Sequence, residues 1–358
     1  LLVTEEAANA HFRAMAEQAI PSWQKQGIDL AGYTTIENAK DVEDLRIALN
    51  LSKITLFGFS YGTHLGQAYL KYYDQYVDKA ILIGVEGLDD TFKQPLSMDE
   101  QFYKLSAMVA ADPLIGDEIP HLVKLYQSVS QRLATTPITL TLKSPLTGKD
   151  MEVKVGKYGL DFILRCDIGD ASDLPIFPRL LYSMSQGDYS VFEWFVQKRI
   201  TSAYGLHAMA IGMDITSGAS ASRLEMINSQ AQKSLFGNVV NTPYVELSKV
   251  WPVNDLGEEY RSGFTTDVPV LLLSGSLDFN TPPYQAEMLR WRLPNAQHIV
   301  VENAGHEQIQ NHKQAGLAII KFLKGEAVND ISAAYPPLQF IPLQGEVSDE
   351  LWHPALGE

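Results

Sequence analysis

The sequence predicts an α/β fold, a mostly parallel sheet with helices on both faces, interrupted by a long and mainly helical insertion. Three observations carry this. Residues 53–57, 79–84, 268–274 and 298–302 are apolar runs of strand length without polar alternation, the pattern of strands buried on both faces. Helix-like segments separate successive runs, which makes parallel crossovers the natural connection. Between residues 88 and 266 that rhythm stops, and long helical stretches carry Phe102, Tyr103, Phe162, Tyr182, Phe192, Trp194, Phe195 and Tyr204. The expected organisation is a first core part over 1–90, an inserted cap over 91–265, a second core part over 266–325 and a tail over 326–358.

The elements follow in order. Thr4 caps a helix over 4–20 that is expected to stop at Pro21. A loop follows over 27–34. Thr34-Thr35-Ile36-Glu37 is a capping box. The helix it opens is expected to bury Ile36, Val42, Leu45 and Leu49 and to turn Lys40, Asp41, Glu43 and Asp44 largely the other way. The first strand ends at 57, and a helix runs from 63 to about 73. The second strand ends in the loop Val85-Glu86-Gly87. Inside the insertion, residues 138–143 and 151–155 alternate with period two and suggest a small hairpin. After the strand over 268–274, Thr281 is the expected cap of a helix beginning at Pro282. The strand over 298–302, a turn and a closing helix over 308–323 complete the core. An apolar piece, 338–343, lies in the tail.

Composition excludes several functions. The net charge of −15 and pI near 5.0 argue against nucleic acid or an anionic membrane as partner. The single cysteine, Cys166, permits no intrachain disulfide and reads as a buried small hydrophobe. No apolar run reaches the ~18 residues a membrane span needs. Paired Cys/His spacing and Gly-rich phosphate loops are absent, so neither a metal nor another cofactor is expected. Asn50-Leu51-Ser52 is a formal glycosylation acceptor of low specificity. The chain starts at Leu1 without an initiator Met, which reads as a processed or truncated N-terminus and leans toward export.

Gly58-Phe59-Ser60-Tyr61-Gly62 stands between a strand and a helix. In that context G-x-S-x-G marks a nucleophilic serine on a sharp turn. The turn is expected to leave no room for side chains at Gly58 and Gly62. The Tyr61 amide opens the helix and can donate to an oxyanion. A serine hydroxyl needs a base, and the base an orienting group. In a parallel sheet these belong at the carboxyl edge. Asp278 and His306 each follow a buried strand, and the order Ser60, Asp278, His306 is that of an α/β-hydrolase. His64 lies one helical turn past Ser60. His207 falls in the insertion, and His11, His121, His298, His312 and His353 lack a strand-end setting. Glu302 is the rival to Asp278.

With these residues in place a resemblance emerges. Tyr33-Thr34-Thr35, Asp41-Val-Glu-Asp-Leu-Arg46, Gly58 to Thr63, Gly84-Val-Glu-Gly87, Gly275 to Pro283 and Ala304-Gly-His306 resemble the prolyl aminopeptidase family of serine peptidases. The likeness is nearest its tripeptidyl-aminopeptidase-like branch. It covers about 1–95 and 265–325 and is loose in the cap. It implies an α/β-hydrolase fold, a helical cap and release of residues from peptide N-termini, with esterase activity on small acyl esters in related proteins. It also implies acidic cap residues that hold the substrate ammonium; Asp214, Asp167, Asp170 and Glu193 are candidates. One departure matters. The family's His-Gly-Gly-Pro-Gly-like loop, source of a second oxyanion donor, does not occur here. The expectation is therefore that the N-terminal half of the sheet is missing from this chain and comes from a preceding segment or a companion chain. The alternatives are a carboxylesterase and a non-catalytic hydrolase-fold binding protein.

Overall fold

The computed structural model describes residues 2–203 and 205–345; Tyr204, His353 and the tail from 346 onward lie outside the described residues. Helix α1 spans Glu5–Lys25 and α2 Thr35–Ala48, followed by β1 (Ile54–Phe59), α3 (Tyr61–Tyr73) and β2 (Val77–Ile83). Then come α4 (Pro95–Ala111), α5 (Leu122–Thr135), β3 (Ile138–Lys143) and β4 (Asp150–Val155). Next are α6 (Lys157–Asp167), α7 (Phe177–Ser185), α8 (Ser190–Arg199), α9 (Ala208–Ser217), α10 (Ala221–Ala231), α11 (Tyr244–Leu247) and α12 (Gly257–Arg261). The core resumes with β5 (Val270–Gly275), α13 (Pro283–Arg290), β6 (Ala296–Glu302), α14 (Lys313–Leu323) and β7 (Ala333–Ala334).

Strands β1, β2, β5, β6 and β7 form one parallel sheet in that order, and β3 and β4 form an antiparallel hairpin. Period-two alternation divides the central strands between two cores. Ala80, Leu82, Val270 and Leu272 pack on one face with α3 and α13, whereas Ile81, Ile83, Leu271 and Leu273 pack on the other with α14. Each buried Leu or Ile contributes about 1.5–3 kcal/mol, so β2 and β5 anchor the sheet. The short β7 was not legible in the alanine pair that forms it.

A third, larger core joins the inserted helices. Helix α1 belongs to it through Ala8, Phe12, Ala16 and Ile20, and so do Phe340, Ile341 and Leu343 of the tail. The first helix is therefore continuous in sequence with the sheet region but packed with the insertion. This docking also carries α1 past Pro21, where a stop was expected. A proline inside a helix costs about 3 kcal/mol; buried Ile20, and Trp23 edge-on to Trp251 at 5.9 Å, offset it.

Helix α2 corrects a second expectation. Thr34 Oγ1 does accept the Glu37 amide at 3.1 Å, but Leu45 and Leu49 are each 58% exposed and Glu43 is buried. The carboxylate of Glu43 accepts from Tyr69 Oη at 2.7 Å and from Arg46 Nε at 2.8 Å. A buried charge with those partners can face α3, and the leucines are turned outward. Leu51 and Phe57 are exposed too. Among the described residues no strand pairs with the outer edge of β1. The tail adds β7 to the opposite edge, next to β6.

The turn after β1 is steric in origin. Ser60 has φ 53° and ψ −123°, a backbone that L-residues rarely adopt, and its amide donates to Ile83 O at 2.9 Å. A Cβ on Gly58 would stand 2.4 Å from Gly62 O, whereas one on Gly62 would meet nothing within 4 Å. Only the first glycine is required by space, which corrects the expectation for both. Gly58→Ala is expected to destabilise the fold by about 2 kcal/mol or more through backbone overlap. Gly62→Ala is expected to leave stability unchanged or raise it by up to about 1 kcal/mol from helix propensity. Thermal unfolding of the two variants checks both; equal losses would refute the steric reading.

Candidate functional site

The parallel register brings the ends of β1, β5 and β6 to one edge, and the loops beyond them carry Ser60, Asp278 and His306. Ser60 Oγ lies 2.8 Å from His306 Nε2, and His306 Nδ1 lies 2.7 Å from Asp278 Oδ2. Asp278 is 3% exposed and His306 7%. A carboxylate accepts only, so Nδ1 carries the proton and Nε2 faces the serine hydroxyl as acceptor. The rival, Glu302, is exposed at the end of β6.

Asp278 is more than a partner for histidine. Its Oδ1 accepts the amides of Asn280 at 2.9 Å and Thr281 at 3.1 Å, and its Oδ2 accepts Thr281 Oγ1 at 2.6 Å. Thr281 thus serves the aspartate and does not cap α13, whose N-cap position is Pro282. Burial pushes the Asp278 carboxyl up, but the His306 charge and these hydrogen bonds outweigh it and hold the carboxyl below its ordinary value. Burial pushes His306 down, and Asp278 reverses this to leave the imidazole above its ordinary value. His306 is fixed from its backbone as well, since its amide donates to Gly169 O at 2.8 Å.

Tyr61 opens α3, so its amide is among those a helix leaves without an internal acceptor. Its ring is stacked on His64 at 5.7 Å, and its hydroxyl meets Thr35 Oγ1 at 2.7 Å. His64 is fully buried. Its Nδ1 donates to Gly87 O at 3.0 Å, and its Nε2 accepts from Tyr260 Oη at 2.6 Å and Ser217 Oγ at 3.1 Å. Burial lowers its pKa. A neutral, fully bonded His64 braces the serine turn and is not a base for it.

Two carboxylates lie in the same electrostatic neighbourhood. Glu86, in the loop after β2, is buried, paired with Lys93 and 3.7 Å from His64 Nδ1. Burial raises its pKa, but the Lys93 and His64 charges bring it below the ordinary value. Asp214, on α9, has its carboxyl pushed up to about 7, first by burial and then by the Glu86 charge. Lys93, a hydrogen bond from Tyr244 and Arg165 oppose that rise. Glu86 was read as part of a loop and of the resembling Gly84-Val-Glu-Gly87 motif but given no role of its own, although its place one loop beyond a buried strand was the available signal.

Two of the other cap carboxylates, Asp167 and Asp170, are engaged elsewhere. Asp167 is buried against Arg199 and Lys198. Asp170 Oδ1 accepts from Ser172 N at 2.9 Å, Ser172 Oγ at 2.6 Å and Gln308 Nε2 at 2.7 Å, and so ties the cap to the His306 loop. Glu193 is exposed in the first turn of α8, and His207 is exposed before α9. Burial raises the pKa of Cys166, so its thiol stays protonated. Among the described residues no three His, Cys, Asp or Glu are grouped to hold a metal, and no helix is long and apolar enough to cross a membrane.

A second Ser–His–carboxylate chain exists. Ser274 Oγ lies 2.9 Å from His298 Nε2, and His298 Nδ1 lies 2.5 Å from Glu287 Oε1. Ser274 is fully buried within β5 and faces no space for a substrate.

A 128-residue stretch is 30% identical to the serine protease Hip1 of Mycobacterium tuberculosis and Mycobacterium bovis, covering 34% of this chain and 24% of that protein. The matched part thus spans about a quarter of those relatives' length. Among solved structures, an esterase from Thermogutta terrifontis is similar with a TM-score of 0.32 and 16% identity, over 82% of this chain and 72% of that one. An epoxide hydrolase from Bacillus megaterium gives 0.34 and 14%, over 83% and 78%. Likeness at that level says nothing about substrate. The model of the alpha/beta hydrolase fold matches residues 17–312, and with the serine turn, sheet order and edge loops described above the chain belongs to the α/β-hydrolase family.

Proposed function

We propose that this α/β hydrolase is a serine hydrolase that releases residues from the free N-terminus of peptides, of the prolyl and tripeptidyl aminopeptidase kind. The hydrogen-bonded chain from Ser60 through His306 to Asp278 is the observation that carries the serine mechanism. Ser60 Oγ attacks the carbonyl carbon as His306 Nε2 takes its proton. The tetrahedral oxyanion accepts the Tyr61 amide. His306 then gives the proton to the leaving amine, and the acyl-enzyme on Ser60 is hydrolysed by water with the same base. Asp278 fixes the imidazole tautomer and stabilises the imidazolium.

Asp214 favours an amine substrate over a simple ester. A carboxyl held near 7 by burial and a like charge is short of positive charge. A substrate ammonium beside it would restore ionisation and gain a charge-assisted hydrogen bond. Glu86 and Asp214 form the ammonium subsite in this reading. The carboxylesterase alternative uses the same serine without that subsite.

The oxyanion needs a second donor opposite Tyr61. In our reading it arrives with a strand that pairs along the open edge of β1, from outside the described residues or from a companion chain. Phe57, exposed on β1 itself, and Leu51 just before the strand support this, since apolar side chains at an unpaired strand edge invite cover. An oxyanion donor is worth about 10²–10³ in kcat. Residues 1–358 alone should therefore hydrolyse p-nitrophenyl esters slower by that factor than the native assembly; equal rates would place the second donor within this chain.

Ser60→Ala should lower turnover by about six orders of magnitude and abolish fluorophosphonate labelling. No labelling of the native assembly would leave the non-catalytic reading standing. His306 must be neutral to act as base, and Asp278 raises its pKa. The acid limb of kcat/KM should thus lie above the ordinary histidine value of about 6.5, and Asp278→Asn should move it downward as the rate falls. A limb below that value would contradict the assignment. Asp214→Asn should raise KM for an aminoacyl nitroanilide by about 10–100-fold, the worth of a charged hydrogen bond, and leave p-nitrophenyl acetate hydrolysis within about twofold. Equal effects on both substrates would favour the esterase.

A further inference from the structure

Two loops carry Asp278 and His306, and a third segment touches both. Residues 168–171 lie between α6 and α7, and Ile168 belongs to the core of the inserted helices and to neither core of the sheet. The segment nevertheless reaches the sheet edge. Gly169 O accepts the His306 amide at 2.8 Å. A Cβ on Gly305 would stand 2.5 Å from Gly169 O and 2.6 Å from the Ala171 amide. One on Gly169 would stand 2.8 Å from Asn280 Nδ2 and 3.1 Å from Phe279 Cδ1. The segment is therefore packed without slack against the histidine loop and the aspartate loop.

Two glutamines, each 3% exposed, hold it there. Gln101, on α4, donates from Nε2 to Leu277 O at 2.8 Å and to Ile168 O at 3.3 Å. Leu277 directly precedes Asp278, so one side-chain amide spans the aspartate loop and the segment. The Leu277 amide in turn donates to Ala304 O at 2.9 Å, which joins the aspartate loop to the histidine loop. Gln308 follows His306 by two residues. Its Oε1 accepts the Ala171 amide at 3.2 Å, and its Nε2 donates to Asp170 Oδ1 at 2.7 Å. Lys198 of α8 draws the ends together, 3.1 Å from Asp167 Oδ1 and 2.7 Å from Asp173 Oδ2. A buried amide side chain is costly unless it is bonded. Here those bonds go to backbone on both sides of the acid and the base.

We propose that Gln101 and Gln308 are positioning residues for the hydrolytic reaction. Through segment 168–171 they set the spacing of His306 and Asp278; buried as they are, they act through the backbone and not on substrate. The inference rests on the serine mechanism proposed above, but not on the choice between peptide and ester. Proton transfer is sensitive to this spacing, because a misplacement of about 1 Å can cost about 10²-fold in rate.

Gln101→Met and Gln308→Met keep side-chain length and remove the bonds. In the native assembly each should lower kcat for p-nitrophenyl acetate about 10–100-fold, change KM by less than about twofold, and slow fluorophosphonate labelling as much as kcat falls. The downfield proton resonance of His306 Nδ1–H, bonded to Asp278, should shift or broaden. Both substitutions will lower Tm as well, so Tyr126→Phe is the comparison. It removes buried bonds to Asp161 Oδ1 at 2.7 Å and Leu235 O at 3.2 Å within the same core. It should lower Tm, keep kcat within about twofold and leave the resonance in place. Lys198→Met, at a side chain 32% exposed, loosens the ends of the segment without opening a buried amide bond and should lower kcat about 3–10-fold. The proposal is overturned if kcat and labelling are unchanged in folded Gln101→Met and Gln308→Met, or if Tyr126→Phe lowers them equally. Should neither glutamine variant fold, unchanged rates in Lys198→Met overturn it. Absence of labelling in the unaltered assembly would refute the serine mechanism and this inference with it.

Discussion

In a parallel sheet every strand ends at the same edge, and here Phe59, Ile83, Leu273 and Ile299 stand side by side in register. That alignment decides which loops can meet. The Ser60 amide reaches across to Ile83 O, so the serine turn is bonded to the neighbouring strand and not only to its own. Glycines at the strand ends then let the loops interlock. A Cβ on Gly84, which has φ 63°, would stand 3.0 Å from Thr281 Oγ1 and 3.1 Å from His306 Cε1. One on Gly275 would stand 2.4 Å from Ala304 O. The close approach of three loops depends on missing side chains as much as on the hydrogen-bonded side chains they bring together.

Burial acts on two aspartates here with opposite results. Asp278 is buried but has donors on both oxygens, and its acidity is preserved. Asp214 is half-buried, and desolvation together with the Glu86 charge pushes its carboxyl up to about 7. The same desolvation therefore yields a permanent anion in one place and a titrating group in the other. The first orients an imidazole. The second responds to any cation that comes near.

Much of this was legible in the sequence. Strand-length apolar runs located β1, β2, β5 and β6; β5 is buried on both faces as such a run implies, whereas β1 leaves Thr55 and Phe57 exposed. Ser60, Asp278 and His306 were legible because strand ends are marked by the runs before them. The failures have physical causes. Pro21 was read locally, but tertiary packing overrides a local break. Glu43 was placed outward by its charge, although Tyr69 and Arg46 satisfy it inside. Thr281 matched a helix cap by spacing and instead bonds to Asp278. Asp170 matched an acidic cap residue and instead holds Gln308 beside the histidine loop. Such roles are set by which of several donors lies nearest in space, and chain spacing does not carry that.

The pair of Ser–His–carboxylate chains shows how little hydrogen bonding alone decides. Ser274, His298 and Glu287 are joined at 2.9 and 2.5 Å, as closely as Ser60, His306 and Asp278 at 2.8 and 2.7 Å. The difference lies in the backbone. Ser274 is inside β5, with ordinary strand neighbours and no exposure, so no carbonyl can approach it. Ser60 is lifted out of its strand by a left-handed turn, with the free amide of a helix start directly after it. Glu287 is also partly exposed on α13 and shared with Arg290, whereas Asp278 is enclosed and saturated. A relay becomes a reaction centre when strain exposes the nucleophile and burial fixes the acid. Among the described residues both conditions meet at the turn that Gly58 permits, where the proposed nucleophile stands.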